Sequence, residues 1–385
     1  MIGLWISTGL LLMTAMTALI APGRPRWLGE AAHQISWIVN ELPQVGIGWL
    51  VASFGLALAQ GDLGWRSTED AAMVTVGMMT AITLLWLWVR ARTAPQVFTD
   101  ALRSELGDEV TVAPVSRWRA LLPVPRRHRS VRHVRNVSYG PYGRRNRLDV
   151  YVGRDSTPVG MFVHFHGRHF RIGRKDTQSL PLLHHLARNG WVCVSANYRL
   201  QPKAEFPDYV VDAKRAIAWA REHAVEHGVD PSMVVAGGDS AGAYLALFSA
   251  LTFDQPRHQP GFEGSDTSLA GVVALYGYYG RTTPAPQSTP LAHLRADTPP
   301  IMVVHGTHDT SVPIDWVRPG VDEMRRISRS PVVQVELPGA QHTFDYFHSV
   351  RSDALANATL SFLKWIVARS RQSDADATDR DRMVR

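Results

Sequence analysis

The sequence has very little cysteine: Cys193 is the only one among 385 residues. An internal disulfide is therefore excluded. Cys193 lies in the apolar run 191–194, which favours a buried and unreactive thiol. Motifs of nucleic-acid-binding modules are also missing, which argues against nucleic acid as a partner.

Charged residues are missing from three segments of the N-terminal region, at 1–23, 42–61 and 71–89. The first and third are long enough to cross a bilayer as helices, whereas a proline and four glycines weaken the second. The first segment also lacks the basic start and the cleavage site of a signal peptide. We therefore predict a membrane region over 1–92 with three transmembrane helices, rather than core helices of a soluble domain.

The net charge of +7 arises within residues 93–147, which contain eleven arginines and four acidic residues. A basic segment directly after apolar spans favours contact with anionic lipid headgroups. Because arginines concentrate there, we predict a multi-pass protein of the cell membrane with its N-terminus outside and the region after residue 92 in the cytoplasm. Residues 93–130 are predicted to be a basic juxtamembrane linker, and the Asp- and Arg-rich residues 371–385 a disordered tail.

Between residues 131 and 370, short β-rich runs alternate with helical patterns. This alternation is typical of α/β proteins and predicts a mostly parallel eight-stranded sheet with helices on both faces. In such sheets active sites form at the carboxyl ends of strands. Residues that directly follow a predicted strand are therefore the first candidates for catalysis.

The segment Gly238-Asp239-Ser240-Ala241-Gly242 has the pattern G-x-S-x-G and lies between an apolar β-run and a helical run. This context is that of a nucleophile elbow, in which a tight turn exposes a serine hydroxyl. The pattern alone is common by chance, and its context makes Ser240 a candidate nucleophile rather than a helix N-cap. The backbone N–H of Ala241 would then face a developing oxyanion.

A serine hydroxyl needs a base to take its proton and an acid to orient that base. Downstream of Ser240, Asp309 and His342 each follow a predicted strand. This order of nucleophile, acid and histidine is the one found in α/β-hydrolases. Asp315 and Asp345 are the alternative acids, and a surface loop position is the alternative interpretation of His342.

Another predicted strand leads into the loop that begins His166-Gly167-Arg168. In α/β-hydrolases this loop supplies further backbone N–H donors to the oxyanion hole. Each such donor contributes about 3 kcal/mol of transition-state stabilisation.

These motifs together resemble the bacterial hormone-sensitive-lipase-like branch of the α/β-hydrolases, over about residues 131–370. The matching pieces are His166-Gly167, Asn197-Tyr198-Arg199-Leu200, Phe206-Pro207, Gly238 to Gly242, His305-Gly306 through Asp309 with Val312-Pro313, and Gly339 with His342. The resemblance implies a carboxylesterase or lipase that acts through an acyl-serine intermediate without metal or cofactor. Its substrate would be a small-molecule or lipid ester.

The resemblance also implies site roles, with one departure. Gly167, Arg168 and Ala241 would form the oxyanion hole, and His166 would support its loop. The family usually has His-Gly-Gly-Gly, whereas Arg168 and His169 occupy the last two positions here. Their side chains are expected to narrow the pocket, and Arg168 to attract an anionic group. Family members usually also have an N-terminal helical cap, which the membrane region leaves in question.

Three alternatives stay open at this point. His164, His166 and His169 are spaced like zinc ligands, but Arg168 replaces the aspartate of that motif and a cation opposes metal binding. A prolyl-oligopeptidase-type serine peptidase shares the fold and the triad order, although its serine is typically followed by Tyr-Gly-Gly. The third alternative is a non-catalytic binding module. The oligomeric state is left open.

Overall fold

The computed structural model describes residues 2–23, 25–64, 67–115 and 129–383, and its centre is one eight-stranded sheet. The strands are β1 Val131–Ser138, β2 Arg147–Gly153, β3 Gly160–Phe165, β4 Trp191–Ala196, β5 Val234–Asp239, β6 Gly271–Leu275, β7 Ile301–Gly306 and β8 Val332–Leu337. Their order is β1-β2-β4-β3-β5-β6-β7-β8. The pairs β1–β2 and β2–β4 are antiparallel, and all other pairs are parallel. The predicted mostly parallel, eight-stranded sheet is confirmed.

The central strands are buried on both faces. Every residue of β3 to β7 is buried, as expected of valine-rich parallel strands that are covered on both sides. The covering helices are α6 Leu180–Arg188, α7 Asp208–Glu222, α8 Ala241–Leu251, α9 Arg318–Ile327 and α10 Val350–Met383. Helix α6 packs against α10, and α7 packs against α8.

The N-terminal region over 1–92 contains the described helices α1 Ile2–Ile20, α2 Arg26–Glu41, α3 Pro43–Ala59 and α4 Thr68–Ala91. Helices α1, α3 and α4 pack together, and Gly77 of α4 makes room for the Phe54 ring, which would lie 2.4 Å from an added Cβ. By length and composition, two of the described helices could cross a membrane, or three if the bent pair α2–α3 counts as one span.

The N-terminal helices contact the catalytic domain through the loops that follow β7 and β8. Asn40, at the end of α2, donates a hydrogen bond to the carbonyl of Gly339 (3.0 Å). Arg90, at the end of α4, lies against the same carbonyl and that of Ala18 (3.4 Å each). The ends of α1, α2 and α4 therefore meet at the carboxyl edge of the sheet.

The structure corrects the prediction that residues 93–130 form a linker. Residues 94–106 are a helix, α5 (Ala94–Leu106), whose Phe98 and Leu102 are fully buried in the main core. Spaced four apart, these side chains lie on one face of α5 and pack towards β8 and α10. Residues 116–128 of the predicted linker lie outside the described residues.

The structure also differs from the prediction that residues 371–385 form a disordered tail. Helix α10 continues to Met383, through most of residues 371–385. Extending an existing helix costs far less free energy than nucleating one, which lets a polar segment follow the buried first part of α10. Residues 384 and 385 lie outside the described residues.

Candidate active site

Ser240 lies at the tight turn between β5 and α8, as predicted. Its backbone is left-handed, with φ +53° and ψ −110°, a conformation that costs a non-glycine residue about 1–3 kcal/mol. A Cβ added at Gly242 would lie 1.9 Å from the carbonyl oxygen of Phe165, and one at Gly238 would lie 2.4 Å from the carbonyl carbon of Gly242. The turn therefore requires glycine on both sides, and its surroundings hold the serine in a strained position.

Asp309 and His342 come together in the loops after β7 and β8. The Nδ1 of His342 lies 2.7 Å from Oδ2 of Asp309. The other carboxylate oxygen accepts hydrogen bonds from the backbone N–H groups of Ser311 (2.9 Å) and Val312 (2.7 Å). Burial by itself would raise the pKa of Asp309, but His342, together with His305, holds it well below its usual value. The carboxylate is thus kept ionised and fixes the imidazole with Nε2 free for Ser240.

The imidazole of His342 lies beside the strand end that carries the nucleophile. Its ring centroid is 4.7 Å from that of Tyr276, and the N–H of Ser240 donates to the carbonyl of Leu275 (2.8 Å). A hydrogen bond from Ser240 Oγ to His342 Nε2 is not formed between these described residues. Catalytic hydrogen bonds of this kind are often long and tighten only in the complex with substrate.

The two alternative acids lie elsewhere. Asp315 is exposed and pairs with Arg318 (2.6 Å). Asp345 is buried and accepts hydrogen bonds from Tyr276 (2.7 Å) and Ser179 (2.7 Å). Neither is bonded to His342.

A second carboxylate shares the Ser179 hydroxyl with Asp345. The Oγ of Ser179 lies 2.8 Å from Oδ1 of Asp239, the residue before the nucleophile. A hydroxyl has a single proton to donate, so one of the two carboxyl groups must itself carry a proton to satisfy both contacts. Burial, and next the charge of Asp239, raise the pKa of Asp345 to about 6. Below about pH 6, Asp345 is therefore the carboxyl group that holds the proton.

Replacing Asp345 with asparagine is expected to stabilise the fold at pH 8. Since the folded pKa lies above the unfolded value of 3.8, the stabilising contribution of protonated Asp345 is complete below about pH 4 and is lost as the pH rises through about 6. Asparagine can accept from Tyr276 and donate to Ser179 at every pH. We expect Asp345→Asn to gain about 1–3 kcal/mol at pH 8, shrinking towards pH 4.5, by denaturant titration in uncharged detergent.

The control for this prediction is Asp315→Asn, because Asp315 is exposed and its pair contributes little. It should leave the pH dependence of unfolding unchanged. A loss of stability in Asp345→Asn at pH 8 would contradict the prediction, because it would mean that the site accommodates the ionised carboxylate better than a neutral amide.

The loop after β3 approaches the nucleophile closely. A Cβ at Gly167 would lie 2.6 Å from the carbonyl oxygen of Asp239, so only glycine fits there. The next three residues, Arg168, His169 and Phe170, all have positive φ (76°, 55° and 59°), a conformation that glycine adopts without strain. The departure from His-Gly-Gly-Gly thus changes the side chains while the loop retains a glycine-like backbone.

One predicted oxyanion donor is already engaged. The N–H of Gly167 donates to Oε1 of Gln178 (2.8 Å), which leaves Arg168 and Ala241 of the predicted set. His166 contacts its own loop: its Nδ1 lies 3.0 Å from the carbonyl of Gly167, and its ring stacks on Tyr198. Burial lowers the pKa of His166 to about 4, although its bond to Gly167 opposes the shift. The ring is therefore neutral at pH 7.

The three histidines spaced like zinc ligands do not converge. His164 bonds to Asp239 (3.0 Å) in the sheet, and His166 bonds within its own loop. In the described part of the chain, no group of three or more ligating side chains has a geometry suited to a metal ion. The residues present do not fit a zinc site.

Helix α2 lies over the site, which the sequence does not predict. The ring of its His33 is 5.9 Å from that of His342, edge-on, and its Trp37 stacks on Phe347 at 5.1 Å. Thr310, next to Asp309, donates to the carbonyl of Gly29 (2.7 Å). The N-terminal region thus provides a helical cover over the site. The one sequence signal for this contact is Gly29, a glycine inside the otherwise regular helix α2, which Thr310 approaches closely.

This sheet, with an elbow serine and a post-strand aspartate–histidine pair, defines an α/β-hydrolase. A family model described as BD-FAE matches residues 148–282. The chain is 35% identical to "Probable carboxylic ester hydrolase LipM" of Mycobacterium tuberculosis over 411 aligned positions, covering 94% of each protein. It is 32% identical to "Esterase LipQ" of the same organism, covering 71% of this chain and 72% of that one.

The comparison with solved structures agrees with the assignment to the α/β-hydrolases. Esterase 2 of Thermogutta terrifontis is 25% identical, with a TM-score of 0.51, and the match covers 62% of this chain and 95% of the esterase. The chain belongs to the hormone-sensitive-lipase-like family of carboxylic ester hydrolases. Because the match with LipM covers 94% of the chain, it extends into the N-terminal helices.

Proposed function

We propose that this protein is a serine carboxylesterase or lipase that hydrolyses carboxylic esters through an acyl-serine intermediate. The observation that carries the proposal is the 2.7 Å bond between Asp309 and His342, beside a serine held at a strained elbow. The bond fixes the imidazole tautomer with its proton on Nδ1. The Nε2 lone pair is then the base for the hydroxyl proton.

The reaction has two displacements. In the first, Ser240 Oγ bonds to the ester carbonyl carbon while its proton passes to His342 Nε2. The N–H groups of Arg168 and Ala241 would stabilise the oxyanion. The tetrahedral intermediate then expels the alcohol, which takes the proton from His342. In the second, a water molecule gives a proton to His342 and attacks the acyl-serine, and the acid leaves as Ser240 regains its proton.

The proposal includes a membrane location, with α1, α3 and α4 as three spans. It is supported by their apolar composition and by the position of their ends, two of which lie at the loops carrying Asp309 and His342. The catalytic domain would lie in the cytoplasm and act on lipid-like esters at the membrane surface.

Labelling of single cysteines on intact cells tests the orientation. A membrane-impermeant maleimide should label Gln60→Cys but not Glu226→Cys, and the buried native Cys193 should contribute only background labelling. The opposite labelling pattern would reverse the proposed orientation.

A serine-directed fluorophosphonate tests the reaction type. The full chain in uncharged detergent should lose ester hydrolysis as one phosphonyl group adds per chain, and peptide mass mapping should place the adduct on Ser240. A chelator should leave hydrolysis unchanged. In a panel of p-nitrophenyl esters of graded acyl length, activity should rise as the ester partitions into the micelle.

Three results would overturn the proposal. Full activity after complete phosphonylation would exclude a serine mechanism. Cleavage of proline-containing peptides without ester hydrolysis would favour the peptidase. A lack of any turnover, with the fold intact, would favour a binding module.

A further inference from the structure

A cavity of about 1210 Å³ lies at the β1–β2 end of the sheet, and none of Ser240, Asp309 and His342 lines it. Six cationic side chains surround it, and we call it the basic cleft. They are Arg135, Arg144, Arg145, Arg147, Arg174 and Lys175. Four of these come from the segment 93–147 that carries the excess charge of the whole chain. Part of that charge is therefore gathered in one concave site.

The acidic residues of the basic cleft are already neutralised. Asp149 forms an ion pair with Lys175 (2.6 Å), and Asp176 forms one with Arg174 (2.7 Å). These two pairs account for both carboxylates that line the cavity. No further carboxylate among the described lining residues is left to pair with the other cationic side chains of the cleft.

Four arginines remain without a carboxylate partner among the described residues. The side chain of Arg135 bonds to the His133 ring (3.3 Å), and that of Arg147 bonds to the carbonyl of Asn136 (2.8 Å). Arg144 and Arg145 use their backbone carbonyls, which accept from Asn197 and Tyr139, and their guanidinium groups stay exposed. Guanidinium groups gathered at one cavity repel one another unless an anion lies between them.

The geometry points to a ligand with a multiply charged oxyanion. A monocarboxylate would balance one of four charges, whereas a phosphate group carries nearly two and accepts paired N–H donors from guanidinium forks. The cavity is much larger than a phosphate ion, and Val131, Tyr151 and Leu180 add apolar wall. We propose that the basic cleft binds a phosphate-bearing organic ligand, either a soluble phosphorylated compound or the headgroup of an anionic lipid. This binding is independent of the proposed ester hydrolysis.

The test is calorimetric titration of the full chain in uncharged detergent. The probes are pyrophosphate, dihexanoyl phosphatidate and, as the zwitterionic comparison, dihexanoyl phosphatidylcholine. We expect at least one anionic probe to bind with a Kd below about 1 mM and to weaken as salt rises. Tighter binding of the phosphatidate assigns a lipid source, and tighter binding of pyrophosphate assigns a soluble one.

Matched double variants localise the site. Arg144→Gln/Arg145→Gln should weaken binding at least about tenfold, because a hydrogen bond to a charged group contributes more than a neutral one. Arg132→Gln/Arg154→Gln removes the same charge from two exposed positions, near the start of β1 and just after the end of β2, away from Arg144 and Arg145. The Kd of this variant should stay within about twofold of the wild-type value. Equal losses in both variants, or no binding of either anionic probe to wild type, would overturn the proposal. Unfolding midpoints verify that both variants are folded.

Discussion

Ser240→Ala is expected to lower kcat for ester hydrolysis by about 10⁴- to 10⁶-fold with little change in KM. The substitution removes the oxygen that forms the acyl-serine, while the alanine methyl fits the elbow without a clash. Ester binding depends on the surrounding pocket, which the change leaves in place. Initial rates with a soluble p-nitrophenyl ester measure the effect.

The matched control is Ser249→Ala, in helix α8 directly after the elbow. Ser249 is fully buried, and its hydroxyl has no hydrogen-bond partner among the described residues, so its loss should leave kcat within about twofold of wild type. The double variant Ser240→Ala/His342→Ala should be no slower than Ser240→Ala, because both residues act in one step. Residual activity of Ser240→Ala within about tenfold of wild type would contradict a covalent role for this serine.

The sequence predicts the nucleophile because the requirements of an elbow are local. A strand, two glycines and a helix lie within a dozen residues of one another in the sequence. In the structure, a Cβ added at Gly238 or Gly242 would clash with the backbone, as the tight turn of an elbow requires. Asp309 and His342 are predictable for a different reason. Parallel strands bring their carboxyl ends to one edge, so the loops after β7 and β8 must meet.

Contacts between distant segments are what the sequence does not reveal. Thr310 bonds to Gly29, 281 residues earlier in the chain, and neither residue carries a pattern that predicts the other. The sequence does not distinguish helix α5 from a basic linker, because charged and polar residues surround its two buried side chains, Phe98 and Leu102. The role of Gln178 at the Gly167 N–H is equally invisible, since a loop glutamine fits many structures.

The N-terminal helices are part of the site rather than a tether. His33 lies against the ring of His342, and the loop glycine Gly339 accepts hydrogen bonds from Asn40 and Arg90. If α2 leaves its place, the catalytic histidine loses one of its packing neighbours. The stability of this interface is therefore linked to activity, and the interface contains one buried ion pair, between Arg351 and Glu41.

Arg351→Met is expected to destabilise the protein by about 3–5 kcal/mol, because it leaves the Glu41 carboxylate buried without its ion-pair partner. Arg351 of α10 lies 2.9 Å from Glu41, at the end of α2, and both side chains are about 1–2% exposed. Its guanidinium also donates to the carbonyls of Asn40 (3.2 Å) and Pro338 (3.0 Å). Denaturant titration in uncharged detergent measures the loss, and ester hydrolysis should fall as α2 separates.

The double variant Arg351→Met/Glu41→Met separates a charge effect from a packing effect. Removing both charges should recover most of the loss, since well-packed apolar residues often replace a buried pair without cost. Arg318→Met, which breaks an exposed pair with Glu336 (2.7 Å), should cost less than about 1 kcal/mol. If the double variant is as unstable as Arg351→Met, the interface depends on the hydrogen bonds of Arg351 to the two carbonyls rather than on its charge. A single variant as stable as wild type would mean that α2 does not dock on α10 at all.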